Sequence, residues 1–425
     1  MEKKKVVILG AGPAGLCAGH ALLPDYEVTL LEKSSHVAGL ASCFRYKGKT
    51  IPKYYHHIFQ HDIITRRYFD ELAKVKAMRW ERIKVGICVD KKTYSFADPL
   101  SLVTFDYLSL WGRVRYGLFG AYVLFFMNPV RIEDHLDAET WLLKHAGSEV
   151  TKKIFYHLYS RNKFNIPLNQ ISAKQFAYRL KAKEAIGIFG FPKKGLHTLF
   201  EGLENHIIKK GGKVKKRIAL QKVDLKRKEI IYQNEKKQQF VLSYDILINT
   251  IPVPEFLKIQ EGLPEAYAKK IGKVRYCPVV SVVFASENYL SKHYWLNLLN
   301  ERAQIIMQHS LLNDDFGHKI SWVSRYGGSE EDIDLPDKEI IKAYLKDVKK
   351  FFPKTKVYWA RVFKEKYAEP IYDKTYSKKK PNHETPIKDF YFAGIAVTYP
   401  KIRNINTALE SGEMVATIIK KKDGL

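Results

Sequence analysis

The stretch Lys5-Val6-Val7-Ile8-Leu9-Gly10-Ala11-Gly12-Pro13-Ala14-Gly15 decides the fold. A buried-strand run meets a glycine turn with no intervening residue, and Leu16 to Leu23 carry on as an apolar helix. Strand, turn and helix thus arrive in the order a dinucleotide site requires. Gly10 permits the tight turn, Gly12 has no Cβ to block a pyrophosphate, and Gly15 lets the helix pack closely on the strand. The helix N-terminus offers unpaired N–H groups to phosphates. A second strand, Glu27 to Leu31, ends at Glu32, where a carboxylate can accept hydrogen bonds from both ribose hydroxyls. A glycine-rich turn of an unrelated α/β protein is the plainer alternative, and the βαβ context argues against it.

The 425 residues suffice for two or three domains, and 46% of them are apolar. The four cysteines, Cys17, Cys43, Cys88 and Cys277, lie far apart with no CxxC pair, which argues against a disulfide framework, a zinc site or a dithiol redox centre. Met1 to Lys5 run straight into the first strand, leaving no room for a cleaved signal peptide. The expected location is therefore the cytoplasm, either free or peripheral on the inner face of the membrane.

Lysine and arginine outnumber aspartate and glutamate by 72 to 45, a formal charge of +27. Nucleic acid would call for a basic recognition helix or an aromatic platform, and neither is present, so none is expected as a partner. Anionic headgroups or an anionic substrate fit the charge, as does a merely soluble lysine-rich surface.

No repeat and no low-complexity tract occurs. Residues 99–128 are strongly apolar and aromatic, but Asp106, Arg113 and Arg115 interrupt them, and the uncharged run Tyr116 to Val130 is too short for a membrane-spanning helix. The segment reads either as a buried helical element or as helices lying in a membrane interface. Helical patterning follows over 138–145, 149–159 and 173–183, with Ser172 as N-cap of the last. Leu196 to Lys210 reads as an amphipathic helix ended by Gly211-Gly212. Residues 214–223, 229–232, 244–250 and 279–284 read as strands. Near the C-terminus, Phe390 to Gly394 reads as a strand and Thr407 to Lys420 as a helix with capping-box spacing over 407–410.

Together these pieces resemble the flavoprotein superfamily of amine oxidases, protoporphyrinogen oxidases, phytoene desaturases and UDP-galactopyranose mutases, over nearly the whole chain. The resemblance implies an α/β fold: a doubly wound, Rossmann-like FAD-binding domain built from discontinuous segments, plus an α+β substrate domain with a helical part. The expected boundaries are 1–75, 191–255 and 387–425 for the FAD-binding domain. The mostly helical part of the substrate domain is placed at 76–190 and its mixed sheet at 256–386. Matching residue by residue, the resemblance assigns FAD contacts to Gly10, Gly12, Pro13, Ala14, Gly15, Glu32, Lys33, Gly39, Leu40, Ala41, Leu220, Gly394, Asn406 and Thr407. Two departures stand out: Ala38 replaces a glycine, and Asn406 replaces an aspartate that many relatives carry.

Tyr55 to His61 is similar to the histidine loop over the flavin in the mutases, which points to His57; the same histidines could equally cap a loop or satisfy a core. Arg161, Lys163, Arg179, Tyr367, Tyr372, Tyr399 and Arg403 are candidates for holding an anionic substrate, with Tyr399 and Arg403 ranked first because they lie between Gly394 and the last helix. No metal site is expected. The implied cofactor is noncovalent FAD, and the implied activity is transfer of a hydride from an organic substrate, small or lipid-linked, to flavin N5. Oxygen, a quinone or another carrier would then be the electron acceptor, since no second dinucleotide motif is present. The alternatives are a mutase-like flavoprotein acting on a sugar nucleotide or glycan precursor without net redox change, and a non-catalytic flavin- or membrane-binding protein. Substrate identity and oligomeric state are left open.

Overall fold

The computed structural model describes residues 2–425 apart from 75–77, 91, 96–99, 183–186 and 327. Pro99, Lys183 and the expected boundary between 75 and 76 lie outside the described residues. The opening run forms strand β1 (Lys5–Leu9), and the glycine turn leads into helix α1 (Pro13–Leu22) and strand β2 (Glu27–Leu31). Three distant segments complete the sheet: β3 (Lys213–Lys215), β4 (Ile246–Asn249) and β5 (Phe390–Phe392). All pairings are parallel in the order β3-β2-β1-β4-β5, with Val7 opposite Thr29 on one side and Leu247 on the other.

Alternate residues of these strands enter different cores. Val6, Ile8, Val28, Leu30 and Ile248 pack with Leu16, Leu22 and Val415, the last from helix α2 (Ile405–Lys422). Val7, Leu9, Leu31 and Leu247 pack on the opposite face with Ile218, Val223, Ile230 and Phe256. A sheet buried on both faces needs apolar residues at successive positions, which is why these strands read as continuous apolar runs. Gly412 lets α2 lie directly on α1, since a Cβ there would come within 2.5 Å of Ala14 O.

A four-stranded sheet of residues 219–224, 229–233, 239–243 and 260–261 covers the second face. A separate seven-stranded sheet runs in the order 357–370, 276–286, 319–325, 305–307, 295–298, 85–89 and 92–95. Its pairings are antiparallel except where Trp295–Leu298 meets Val85–Val89. Helices at 110–121, 138–145 and 173–181 and the π-helix Thr151–Phe164 pack on one another through Phe119, Trp141, Phe155 and Phe176.

Several expected elements shift. Residues 76–190 are not helical at their start: Met78–Arg82, Val85–Val89 and Lys92–Ser95 are strands. The single strand expected over 214–223 is two, parted by Arg217 at φ 58°. The helix expected over 149–159 is one α-turn followed by the long π-helix. The last helix starts two residues early because Asn404, rather than Thr407, is its N-cap: Asn404 Oδ1 accepts from Thr407 N at 2.9 Å and Thr407 Oγ1 accepts from Asn404 N at 3.2 Å.

Candidate active site

The carboxyl ends of β1, β2, β4 and β5 and the N-termini of α1 and α2 border one cavity of about 780 Å³, reaching from Glu32 to the seven-stranded sheet. This is where an open parallel sheet places its ligands. Gly10, Gly12, Pro13 and Ala14 line it at the first turn. A Cβ on Gly12 would meet nothing within 4 Å, so the cavity reaches the backbone there, whereas a Cβ on Gly15 would sit 2.2 Å from Gly10 O. Gly15 therefore does not line the cavity; it permits the close strand-to-helix turn.

The Glu32 carboxylate is buried and lines the cavity. Its Oε2 accepts from Ala11 N and its Oε1 from Ser34 N, both at 2.8 Å. Two of a carboxylate's roughly four acceptor positions are thereby used, leaving capacity for sugar hydroxyls. Lys33 lines the same end and pairs with Glu255 at 3.2 Å; Ile218, Ala219 and Leu220 close it. Gly39, Leu40 and Ala41 form a short 3-10 turn along the wall, and His56 Nε2 donates to Leu40 O at 3.0 Å. The donors, acceptors and glycine cradle fit a bound dinucleotide.

Ala38 shows what its departure from glycine costs. It adopts φ 86° and is buried, with its N–H bonded to Ala11 O at 2.8 Å. A side-chain-bearing residue in the left-handed region carries about 1–2 kcal/mol of strain.

At the far end, Gly394 lines the cavity, and its N–H donates to Ser411 Oγ at 2.9 Å, which fixes β5 to α2. Asn404, Ile405 and Ala408 bring the positive end of α2 to the wall. Asn406 and Thr407 do not line it. Asn406 Oδ1 instead accepts from Thr65 N at 3.0 Å, and Thr407 completes the capping box. The position expected to contact the cofactor's sugar chain is thus turned toward the helix Ile63–Glu71.

His57 lines the cavity, stacked on Phe189 at 4.1 Å, with Nδ1 3.3 Å from the Tyr294 hydroxyl. Burial, reinforced by His56, His309 and Lys163, lowers its pKa to about 3, so the ring is neutral at physiological pH. Arg403 also lines the wall. Its Nη2 lies 2.8 Å from Glu369 Oε2, its Nη1 donates to Pro370 O, and its Nε is buried without a hydrogen-bond partner among the described residues. Lys163 Nζ is 3.2 Å from Glu369 Oε1 and 4.4 Å from the centre of the Tyr326 ring. Burial acts to raise the Glu369 pKa, but Arg403, Lys163 and Arg179 outweigh it and hold the carboxyl at about 2. Trp295, Tyr326 and Phe363 supply aromatic walls.

The remaining substrate candidates divide. Lys163, Arg179 and Tyr367 line the cavity. Arg161 points elsewhere, bonded to Asn300 Oδ1 at 2.9 Å, and the Tyr372 hydroxyl donates to Ile395 O. Tyr399, ranked with Arg403 from its place in the sequence, is not in the wall. Its hydroxyl lies 2.8 Å from Ser172 Oγ and donates to Asp134 Oδ1 at 3.2 Å, and its ring packs on Tyr372 and Tyr376. It braces the loop rather than facing a ligand. Glu369, Trp295 and Tyr326 had no motif to announce them.

Burial pushes the thiols of Cys17, Cys43 and Cys277 up to about 12 and that of Cys88 to about 11, so none is poised as a thiolate nucleophile. Among the described residues no group of three or more histidines, cysteines and acids could hold a metal ion.

The family model for flavin-containing amine oxidoreductases matches residues 13–420. Among solved structures, a protein of Exiguobacterium sp. 255-15 provisionally assigned as a protoporphyrinogen oxidase is 14% identical, with a TM-score of 0.76 over 99% of this chain and 100% of that one. An oxidoreductase from Methanosarcina mazei is 18% identical at a TM-score of 0.73, covering 98% and 100%. Reduced UDP-galactopyranose mutase is 15% identical at 0.73, covering 99% and 96%. At these identities the likenesses establish the fold. Among curated proteins none matches this sequence. The cofactor is FAD, and the chain belongs to the family of flavin-containing amine oxidoreductases.

Proposed function

We propose that the protein is an FAD-dependent oxidoreductase acting on a small organic substrate that bears an anionic group. The observation that carries the substrate class is the buried cluster of three cations, Lys163, Arg179 and Arg403, around one carboxylate, Glu369, in the cavity wall. In a low-dielectric site a cationic wall favours an anion, and Arg403 Nε is a buried donor with no acceptor among the described residues. FAD, when bound, supplies hydride acceptance at its N5. The chain's own part is to bind and orient. Arg403 and Lys163 fix the anionic end, Trp295 and Tyr326 exclude water, and the neutral His57 ring can accept or donate a hydrogen bond without adding charge. Oxygen, a quinone or another carrier would reoxidise the enzyme.

A mutase-like reaction on a sugar nucleotide is the second reading, favoured by the same cations, which suit a diphosphate, and by His57 beside them. One experiment separates the two. Loaded enzyme is mixed anaerobically with carboxylate-bearing amines, putrescine as a cationic amine, and sugar nucleotides. Bleaching of the oxidised flavin by an anionic substrate supports the first reading, and bleaching by putrescine alone overturns it. Conversion of a sugar nucleotide only after dithionite reduction, with an unchanged spectrum over many turnovers, establishes the second.

A further inference from the structure

The helix Leu110–Ala121 and the π-turn Tyr122–Phe126 turn their apolar side chains the wrong way for a soluble protein. Gly112 and Phe119 face inward, while Leu110, Trp111, Val114 and Leu118 form an outward stripe at helical spacing. Phe125 and Phe126 extend it, 76% and 78% exposed, and Leu100, Val103 and Val130 are exposed as well. Leu102 Cδ1 would lie 3.6 Å from a Cβ on Gly117, which brings the 100–103 turn against the same helix. Single exposed apolar residues are ordinary, but a group of this size that includes a Trp and two Phe marks an interaction surface.

Charge identifies the partner. From Leu100 to Arg131 the sequence holds one acid, Asp106, against Arg113, Arg115 and Arg131, and Glu149, which accepts from Ser109 N at the start of the helix, is itself paired with Lys153. Asp106 is bonded to Lys92 and to the Tyr94 hydroxyl. Lys181 Nζ donates to Val123 O and Leu124 O, which places a cation beside the stripe. A second copy of this chain would bring a formal +27 against +27, which opposes self-association through this face. An anionic surface gains from the same field. Among the described residues no helix is long and apolar enough to cross a membrane, so the fitting geometry is an element lying in the plane of the interface.

We infer that residues 100–130 dock the protein on an anionic lipid bilayer, with Trp111, Leu118, Phe125 and Phe126 entering the headgroup and acyl boundary and the flanking arginines meeting the headgroups. The inference is independent of the substrate assigned to the cavity.

The test is flotation of the FAD-loaded full chain with vesicles of phosphatidylcholine alone or mixed with phosphatidylglycerol. Recovery should be high only with the anionic vesicles and should fall several-fold when salt is raised from about 0.1 M to about 1 M, which shortens the Debye length from about 10 Å to about 3 Å. Phe125→Ser with Phe126→Ser should cut recovery about tenfold or more while the flavin spectrum is retained. Leu118→Ser, on a separate turn, should act in the same direction and guards against a local folding defect. Quenching of tryptophan emission by brominated lipid should be lost in Trp111→Phe while flotation persists. No recovery with either vesicle, or recovery insensitive to these variants, overturns the inference. So does a dimer in light scattering that the Phe125 and Phe126 substitutions abolish, which would make the face a contact between proteins.

Discussion

Arg403 Nη2 and Glu369 Oε2 lie 2.8 Å apart in the cavity wall, with the Arg403 side chain almost wholly enclosed. Removing the enclosed guanidinium takes a donor from Glu369 Oε2 and from Pro370 O, even though Lys163 still faces Glu369 Oε1. Arg403→Met should therefore cost about 3 kcal/mol in urea unfolding, with Arg403→Lys recovering most of it. Substrate KM should rise in both, because lysine lacks the planar fork.

Glu369→Gln separates two roles for the same carboxylate. If the cluster receives an anion, removing the negative charge should lower KM for that substrate or leave it unchanged. A KM increase would mean that Glu369 itself holds a cationic amine, and steady-state kinetics distinguishes these outcomes.

Acid should weaken the protein well above the carboxylate range. Burial lowers both His57 and His309 to about 3 from an ordinary value of 6.5, so the unfolded chain takes up protons that the folded one refuses. The stability from each neutral ring is complete above pH 6.5 and is lost as pH falls from there toward 3. Between those limits each ring contributes a slope of up to about 1.4 kcal/mol per pH unit. Denaturation midpoints measured from pH 7 to pH 5 should fall, and His309→Phe should flatten the profile. An unchanged profile in that variant would remove the imidazole explanation.

Gly12 and Gly15 should fail differently. A side chain at position 12 meets open cavity, so Gly12→Val should fold and yet retain no FAD, whereas Gly15→Ala drives a methyl into Gly10 O and should lower the melting temperature as well. Circular dichroism and the flavin absorbance of the purified variants check both. Noncovalent attachment predicts that wild-type protein releases its FAD into the supernatant on acid precipitation.

Ala38→Gly should relieve the left-handed strain at φ 86°. Part of the roughly 1–2 kcal/mol is offset by the greater freedom of glycine in the unfolded chain, for a net gain of up to about 1 kcal/mol. A fall in melting temperature would show that the buried methyl contributes more by packing than it costs in backbone strain.

The cofactor half of the cavity was legible because its parts are contiguous in sequence: β1, the glycine turn and α1 occupy one unbroken stretch, and Glu32 closes the next strand. The substrate half was not. Lys163 and Arg161 are two residues apart, yet one reaches the cavity and the other Asn300, and the π-helix that carries them lacks the 3.6-residue phase on which a helical pattern is read. Glu369 lies beyond an irregularity in strand Val357–Pro370, where the register shifts between Cys277 and Val279, so alternation could not say which way it faced. Tyr399 looked favourable from its distance to α2 along the chain, but the loop folds back and delivers its hydroxyl to Ser172. The family's acid-to-asparagine change at Asn406 was visible, and its consequence, a bond to Thr65, needed the fold.

The parallel sheet sets an order on the protein's biosynthesis. β1 lies between β2 and β4, and β5 completes the edge beside β4. At ordinary rates of translation, β5 leaves the ribosome roughly 20 to 80 seconds after β1. Throughout that interval the Gly10–Gly15 turn exists without the α2 terminus that faces it across the cavity. A nascent chain can make its phosphate cradle early, but it can enclose the whole cofactor only after nearly all of these residues have been made. A ribosome stalled before β5 should therefore leave a chain with its first βαβ unit formed and no α2, whereas flavin starvation leaves a full-length apoprotein.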